Sequence, residues 1–124
     1  MLSSNRIAAT IPAWDMERAK SYYMETLGFS VKLEDPAGVQ FESGGVEFGI
    51  FPTFSGEPAS HTIAAWQVDD LEAEMAELRD RGVTFEEYDM PGFKTENGIA
   101  DLGGGKGCWF KDSEGNTLAI FRRA

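Results

Sequence analysis

Few side chains in this chain of 124 residues have the chemistry of a reactive or ligand-binding site. His61 is the single histidine, and an imidazole near the start of a strand can act as a general base or contact a ligand. Glu47 lies in another strand-like segment and could pair with a cationic ligand or with His61. For both residues the simpler alternative is a solvated position at a strand end. Cys108 has no second cysteine or histidine at metal or catalytic spacing, so a buried, inert thiol is expected.

The glycine run at 103–107 invites comparison with a phosphate-binding loop. It lacks the Gly-Lys-Ser/Thr ending at the required spacing, and it leads into a strand rather than a helix. We therefore expect a flexible loop without a bound nucleotide.

Aromatic side chains are the other candidate ligand contacts: the chain has 9 Phe, 3 Trp and 3 Tyr. Most large aromatics of a small domain belong to its core. An aromatic, mostly apolar pocket is nevertheless the usual way to hold a planar organic molecule, and Phe54 and Phe93 lie in loop-like sequence where core packing is less expected. With Glu47 and His61, the predicted ligand-binding residues are Trp14, Phe41, Phe51, Trp66, Phe93 and Trp109.

The composition limits the partners of the protein. Eleven basic and 21 acidic residues give a net charge of −10, which repels phosphate backbones and argues against nucleic acid. No apolar run approaches the ~20 residues of a membrane helix, and no secretory signal is visible at the N-terminus. Together with a single cysteine, this predicts a cytoplasmic protein with a small-molecule partner and no membrane association. The acidity itself is explained by solubility alone, or by a preference for cationic ligands.

The sequence contains an internal repeat, which decides the architecture. A β-like run at 7–11 precedes Asp15, a good helix N-cap, and a helix is predicted over 16–26 with Gly28 just beyond it. The second half repeats this plan with a strand at 61–68, a cap at Asp70, a helix over 71–81 and Gly82 after it. The two caps are 55 residues apart and the two glycines 54 apart, so the register holds across a whole helix.

Further strands complete each half. Strand-like segments at 39–42 and 45–51 correspond to segments at 108–111 and 115–121, the last pair offset by 70. The larger offset places an insertion at 88–107, where a long glycine-rich loop is expected. The predicted order is β-α-β-β-β twice within one domain, 1–124. The first module covers 6–53, the second 61–124, and the linker 54–60 joins them.

Four motifs in order resemble the vicinal-oxygen-chelate superfamily, which includes glyoxalase I, extradiol dioxygenases and bleomycin-binding proteins. They are the stretch from Asp15 to Tyr23, Leu27-Gly28-Phe29, Val68-Asp69-Asp70-Leu71 with Arg81-Gly82-Val83, and Trp109 to Asn116 with Ser113 where proline is usual. The resemblance implies an α+β fold of two βαβββ modules, whose curved mixed sheets surround a central pocket with the helices outside. It also implies a homodimer.

The same resemblance locates the positions at which the family's enzymes hold a divalent metal. In this chain those positions read Ala8, Gly49, Ile63 and Ala119, and none has a side chain that can coordinate a metal. The chain is therefore predicted to lack a metal and any other cofactor.

Three functions remain open at this point. The first is a metal-free protein that sequesters a hydrophobic aromatic or cationic compound. The second is a metal-dependent lyase or dioxygenase with an atypical ligand set, such as His61 and Glu47. The third is a metal-independent enzyme that uses His61.

Overall fold

Each half of the chain builds one β-sheet with one helix against it. The computed structural model describes residues 1–53, 57–59 and 61–123. Sheet 1 has the order β1-β4-β3-β2, with β1 parallel to β4 and the other neighbours antiparallel. Its strands are β1 (Thr10–Ala13), β2 (Val31–Asp35), β3 (Gly38–Ser43) and β4 (Val46–Pro52).

Sheet 2 repeats this order and extends it at one edge, giving β5-β10-β9-β8-β7-β6. Again the first strand of the module is parallel to the last, and the remaining pairs are antiparallel. Its strands are β5 (Thr62–Gln67), β6 (Asp89–Met90), β7 (Phe93–Glu96), β8 (Ile99–Asp101), β9 (Gly105–Lys111) and β10 (Thr117–Arg123).

The two helices begin and end as the repeat predicts. Helix α1 (Met16–Ser21) continues as a π-helical turn, Tyr22–Thr26, and α2 spans Leu71–Asp80. The carboxylates of Asp15 and Asp70 accept hydrogen bonds from the N–H groups three residues on, at 3.1 and 3.0 Å. Gly28 and Gly82 follow the helices with φ of 84° and 96°, a left-handed conformation that other residues adopt at a cost.

The helix-bearing faces of the two sheets share one hydrophobic core. Ile11, Phe41 and Ile50 of sheet 1 belong to it together with Phe110 and Leu118 of sheet 2. Polar contacts cross the same seam. The Tyr23 hydroxyl donates to Asp112 at 2.7 Å, and the Arg18 guanidinium pairs with Glu114, also at 2.7 Å. The opposite faces of both sheets therefore point away from this core, and we call them outward face 1 and outward face 2.

Two predictions about elements are wrong. Strand β1 starts at Thr10 rather than at residue 7, and Ile7 is 91% exposed, because β1 pairs with β4 only from Thr10 onward. The inserted segment 88–107 is not a long loop. It contains three short strands and the start of β9, which extend the sheet antiparallel from one strand to the next.

The α+β class with two mixed sheets is confirmed. Within the described residues, neither helix is long and apolar enough to cross a bilayer.

Candidate ligand-binding site

Outward face 1 is open and presents acidic and polar side chains at its centre. Successive side chains of a strand alternate between faces, so Gln40 and Glu42 of β3 point away from the buried Phe41. Strand pairing places Glu47 beside Glu42 and Gly49 beside Gln40. These outward positions are partly or fully exposed apart from Gly49, over which the Gln40 amide lies.

The two acids of outward face 1 differ in their partners. Like charges directly opposite each other on neighbouring strands are destabilising. Glu42 has an ion pair with Lys32 at 3.4 Å, whereas no ion pair or hydrogen bond of the Glu47 carboxylate is found among the described residues. Glu47 is thus an uncompensated negative charge on this face.

Outward face 2 is aromatic. Trp109 of β9 is 8% exposed and packs with Ala100 and Ala119 in a small hydrophobic cluster separate from the main core. Three rings meet it nearly edge to face: Tyr88 at 6.0 Å and 81°, Phe93 at 5.2 Å and 68°, and Phe121 at 5.8 Å and 82°.

The inserted segment supplies part of this aromatic cluster. The Tyr88 N–H donates to the Thr95 hydroxyl at 2.8 Å, which ties the segment to β7. The Thr95 hydroxyl in turn donates to Glu87 at 2.6 Å, and Gly98 N–H donates to the same carboxylate at 2.9 Å. These two bonds lower the pKa of Glu87 below its ordinary value. The Glu87 carboxylate therefore fixes the β7–β8 hairpin, which carries Phe93.

A depression of about 340 Å³ lies between the edges of the two sheets. Glu47 and Phe48 line it from β4, and Ala65, Trp66 and Gln67 line it from β5. Two of the predicted site residues, Glu47 and Trp66, are thus brought to one cavity.

The remaining predicted site residues are distributed over several places. Phe93 and Trp109 contact each other on outward face 2, and Phe51 is 38% exposed on outward face 1. Trp14 is 58% exposed beside a shallow hollow near Glu114, and His61 is exposed just before β5. Neither Trp14 nor His61 belongs to the groups described above.

Phe41 needs a correction. It is fully buried on the helix-bearing face, where its ring stacks on Tyr23 at 5.8 Å, so it is a core residue and not a ligand contact. Conversely, the sequence analysis does not single out Phe121, although it alternates with Ala119 along β10 and lies on outward face 2. The alternation of side chains along β10 is the sequence signal that could have identified Phe121. Phe54 lies outside the described residues.

Two of the four positions at which the resemblance would place a metal ligand, Gly49 and Ala119, lie among neighbours that do not suit a divalent cation. Pairing places Thr10 and Gln40 beside Gly49, and Ala65 and Trp109 beside Ala119. A metal site needs several carboxylate, imidazole or thiolate donors, and these positions offer a hydroxyl and an amide at most. Across residues 1–53, 57–59 and 61–123, no three His, Cys, Asp or Glu side chains converge on one point.

Burial changes the acidity of one thiol and two phenol groups in the core. Burial raises the pKa of the Cys108 thiol to about 12, so almost none of it is the reactive thiolate at neutral pH. Burial, with the nearby Asp112 carboxylate, raises the pKa of Tyr22 to about 12 and raises that of Tyr23 as well. The Tyr22 and Tyr23 hydroxyls form hydrogen bonds between the modules, to the Lys111 carbonyl and to Asp112.

Comparison with known proteins agrees with this architecture. The family model of the glyoxalase/bleomycin resistance protein/dioxygenase superfamily matches residues 5–120. The chain belongs to this superfamily. No curated protein sequence is similar enough to the chain to count as a match.

Several solved structures share the fold at low sequence identity. A bleomycin resistance determinant encoded on transposon Tn5 has a TM-score of 0.72 at 18% identity, covering 96% of this chain and 98% of its own. TnmS3, an antibiotic binding protein from Streptomyces sp. CB03234, has a TM-score of 0.70 at 23% identity, covering 98% of both chains. FosX, a fosfomycin resistance protein from Listeria monocytogenes, has a TM-score of 0.71 at 11% identity, covering 97% and 93%.

Proposed function

We propose that this protein is a metal-free binding protein of its superfamily that sequesters an aromatic, cationic small molecule. The observation that carries the proposal is the contrast between the two outward faces. One presents the uncompensated carboxylate of Glu47, and the other presents the aromatic cluster around Trp109. A planar cation is complementary to both, because aromatic rings attract apolar surface and positive charge and the carboxylate supplies the counter-charge.

In this proposal, the two faces contact the same ligand only when two copies of the chain associate. In one chain the faces look away from the shared core, so neither encloses a molecule alone. In a two-fold dimer, outward face 1 of one copy covers outward face 2 of the other, and the arrangement repeats by symmetry. Exposed apolar side chains on outward face 1, Leu33 at 58% and Phe51 at 38%, support such a contact.

Two solved relatives support the ligand class. The Tn5 determinant is described as a bleomycin resistance protein, and TnmS3 is described as an antibiotic binding protein. The net charge of −10 further favours a cationic ligand over an anionic one.

Metal analysis is the first experiment. The purified protein is incubated with zinc, manganese, iron or nickel salts, desalted and analysed for metal. We expect far less than one ion per chain. Retention of one ion per chain would contradict the metal-free proposal and would favour a metal-dependent enzyme.

Ligand binding is then measured by thermal shift with matched aromatic probes. Proflavine, a planar cation, is compared with anthracene-9-carboxylate, a planar anion of similar size. We expect proflavine alone to raise the melting temperature, and we expect Trp109→Ala and Glu47→Gln each to weaken its binding. Glu25→Gln, which removes an exposed acid of the π-helical turn, is the control and should bind as the wild type does. Equal responses to the two probes would count against the proposal, as would a monomer in sedimentation equilibrium.

A further inference from the structure

A second cavity lies on the seam between the modules, on the side of the helices. It measures about 250 Å³ and is distinct from both outward faces. We call it the inter-module cleft, and its walls include Leu27, Phe29, Ser43, Trp66, Glu74 and Leu78. At ~30 Å³ per water it has room for about eight waters, or for one aromatic ring with a short side arm.

The walls of the cleft are apolar and aromatic. The rings of Phe29 and Trp66 stack at 5.8 Å with their planes 19° apart, one from each module. Leu27 follows the π-helical turn and Leu78 comes from α2. Such walls favour a hydrocarbon or aromatic group over water.

The polar groups of the cleft leave one charge without a counter-ion. The Ser43 hydroxyl already accepts a hydrogen bond from the Trp66 indole N–H at 3.1 Å. Glu74, an exposed residue of α2, lines the same space, and no hydrogen bond or ion pair of its carboxylate is found among the described residues. Two other acids of α2, Glu72 and Glu77, pair with Arg122 and Arg81.

We infer that the inter-module cleft is a second binding site, selective for a small aromatic amine. The ring would lie among Phe29, Trp66 and Leu78, and the ammonium group would pair with Glu74. A single carboxylate in an apolar cleft suits one positive charge on a hydrocarbon body, whereas a metal ion would need several oxygen donors. This inference does not depend on the proposed function, because none of the outward aromatic cluster lines the cleft.

The cleft can be tested by NMR with 2-phenylethylamine and its neutral counterpart, 2-phenylethanol. The indole N–H of Trp66 points to Ser43 at the cleft wall, while Trp14 and Trp109 lie elsewhere, so a shift of the Trp66 signal alone excludes outward face 2. Because Trp66 also lines the depression beside Glu47, the effect of Glu74→Gln decides between these two cavities. Trp66→Phe assigns the Trp66 signal. We expect the amine at millimolar concentration to shift the Trp66 signal alone and the alcohol to bind more weakly.

Two variants of α2 test the role of the charge. Glu74→Gln should weaken amine binding by up to about fivefold, the upper end of the range for an exposed ion pair. Asp80→Asn removes an acid from the same helix outside the cleft and should leave the affinity unchanged. The inference is overturned if the two variants bind alike, if amine and alcohol bind equally, if the Trp109 signal moves instead, or if no signal moves.

Discussion

The hydrogen bond between Tyr23 and Asp112 is expected to be a main polar link between the modules, and Tyr23→Phe removes it cleanly. The variant keeps the ring that stacks on Phe41, so little packing is lost. The hydroxyl donates to a buried carboxylate at 2.7 Å, and such charge-assisted bonds are worth ~1.5–3 kcal/mol. Asp112 keeps three N–H donors, from Glu114 N, Asn116 N and Asn116 Nδ2. We therefore expect Tyr23→Phe to lower the free energy of unfolding by ~1.5–2 kcal/mol, the lower end of that range.

Tyr22→Phe is the matched control, because the neighbouring hydroxyl also crosses the seam. It donates to the uncharged carbonyl of Lys111 at 3.2 Å from a half-buried ring, so its loss should cost only ~0.5 kcal/mol. Urea unfolding at pH 7 measures both variants. With a slope of ~2 kcal/mol/M, the midpoint should fall by about 0.8–1 M for Tyr23→Phe and about 0.25 M for Tyr22→Phe. Equal losses in the two variants would refute the claim that the charged, buried partner makes the difference.

Three other outcomes follow from the described contacts. Gly38→Ala should lower the melting temperature strongly, because φ is 152° and an added Cβ would overlap the Ile50 carbonyl oxygen; a wild-type melting curve would contradict this. Cys108 should react with a thiol reagent only after denaturant is added, since burial raises its pKa to about 12, and rapid labelling of the folded protein would show that the site is accessible. The pKa of Glu114 is lowered: burial opposes this, but hydrogen bonds from Arg18, from a backbone N–H and from a hydroxyl outweigh it. The resulting stability is present above the ordinary pKa of 4.5 and is lost as the pH falls through the lower pKa of the folded state. The urea midpoint of Glu114→Gln should therefore depend less on pH in that range than the wild-type midpoint does. An unchanged pH profile would argue against the shift.

The repeat makes most of the fold predictable. Caps at Asp15 and Asp70, and glycines with positive φ after both helices, are local signals that depend on a few neighbouring residues. The start of β1 is not predictable in this way, because the apolar Ile7 resembles a strand residue. In the parallel register Ile7 would lie opposite Val46 at the start of β4, yet pairing begins only at Thr10 and Gly49.

The inserted hairpin has a local signal that its glycine-rich surroundings obscure. Asn97 and Gly98 both have positive φ, 53° and 81°, which is the pattern of a tight hairpin turn. The flanking strands are only four and three residues long, so their alternation is too short to be distinctive. The sequence therefore predicts a loop where the structure has a hairpin.

The sequence predicts which types of residue form the candidate site better than it predicts where those residues lie. Aromatic and acidic residues stand out in the sequence, but a one-residue error in register moves a side chain to the other face of a sheet. Phe41 and Phe51 illustrate this: both are strand phenylalanines, one wholly in the core and one on outward face 1. The separation of the two outward faces results from packing between modules, which no local pattern encodes.

The duplicated plan of the chain has a consequence for how its specificity can change. If the two modules had identical sequences, every substitution would change both faces of the site at once. Here the two modules share one polypeptide yet have separate sequences, and only the second has the hairpin with Phe93. Outward face 1, which is acidic, and outward face 2, which is aromatic, can therefore change independently by mutation. In the proposed site, a new ligand would be accommodated by exchanging residues on one face while the other face keeps its contacts.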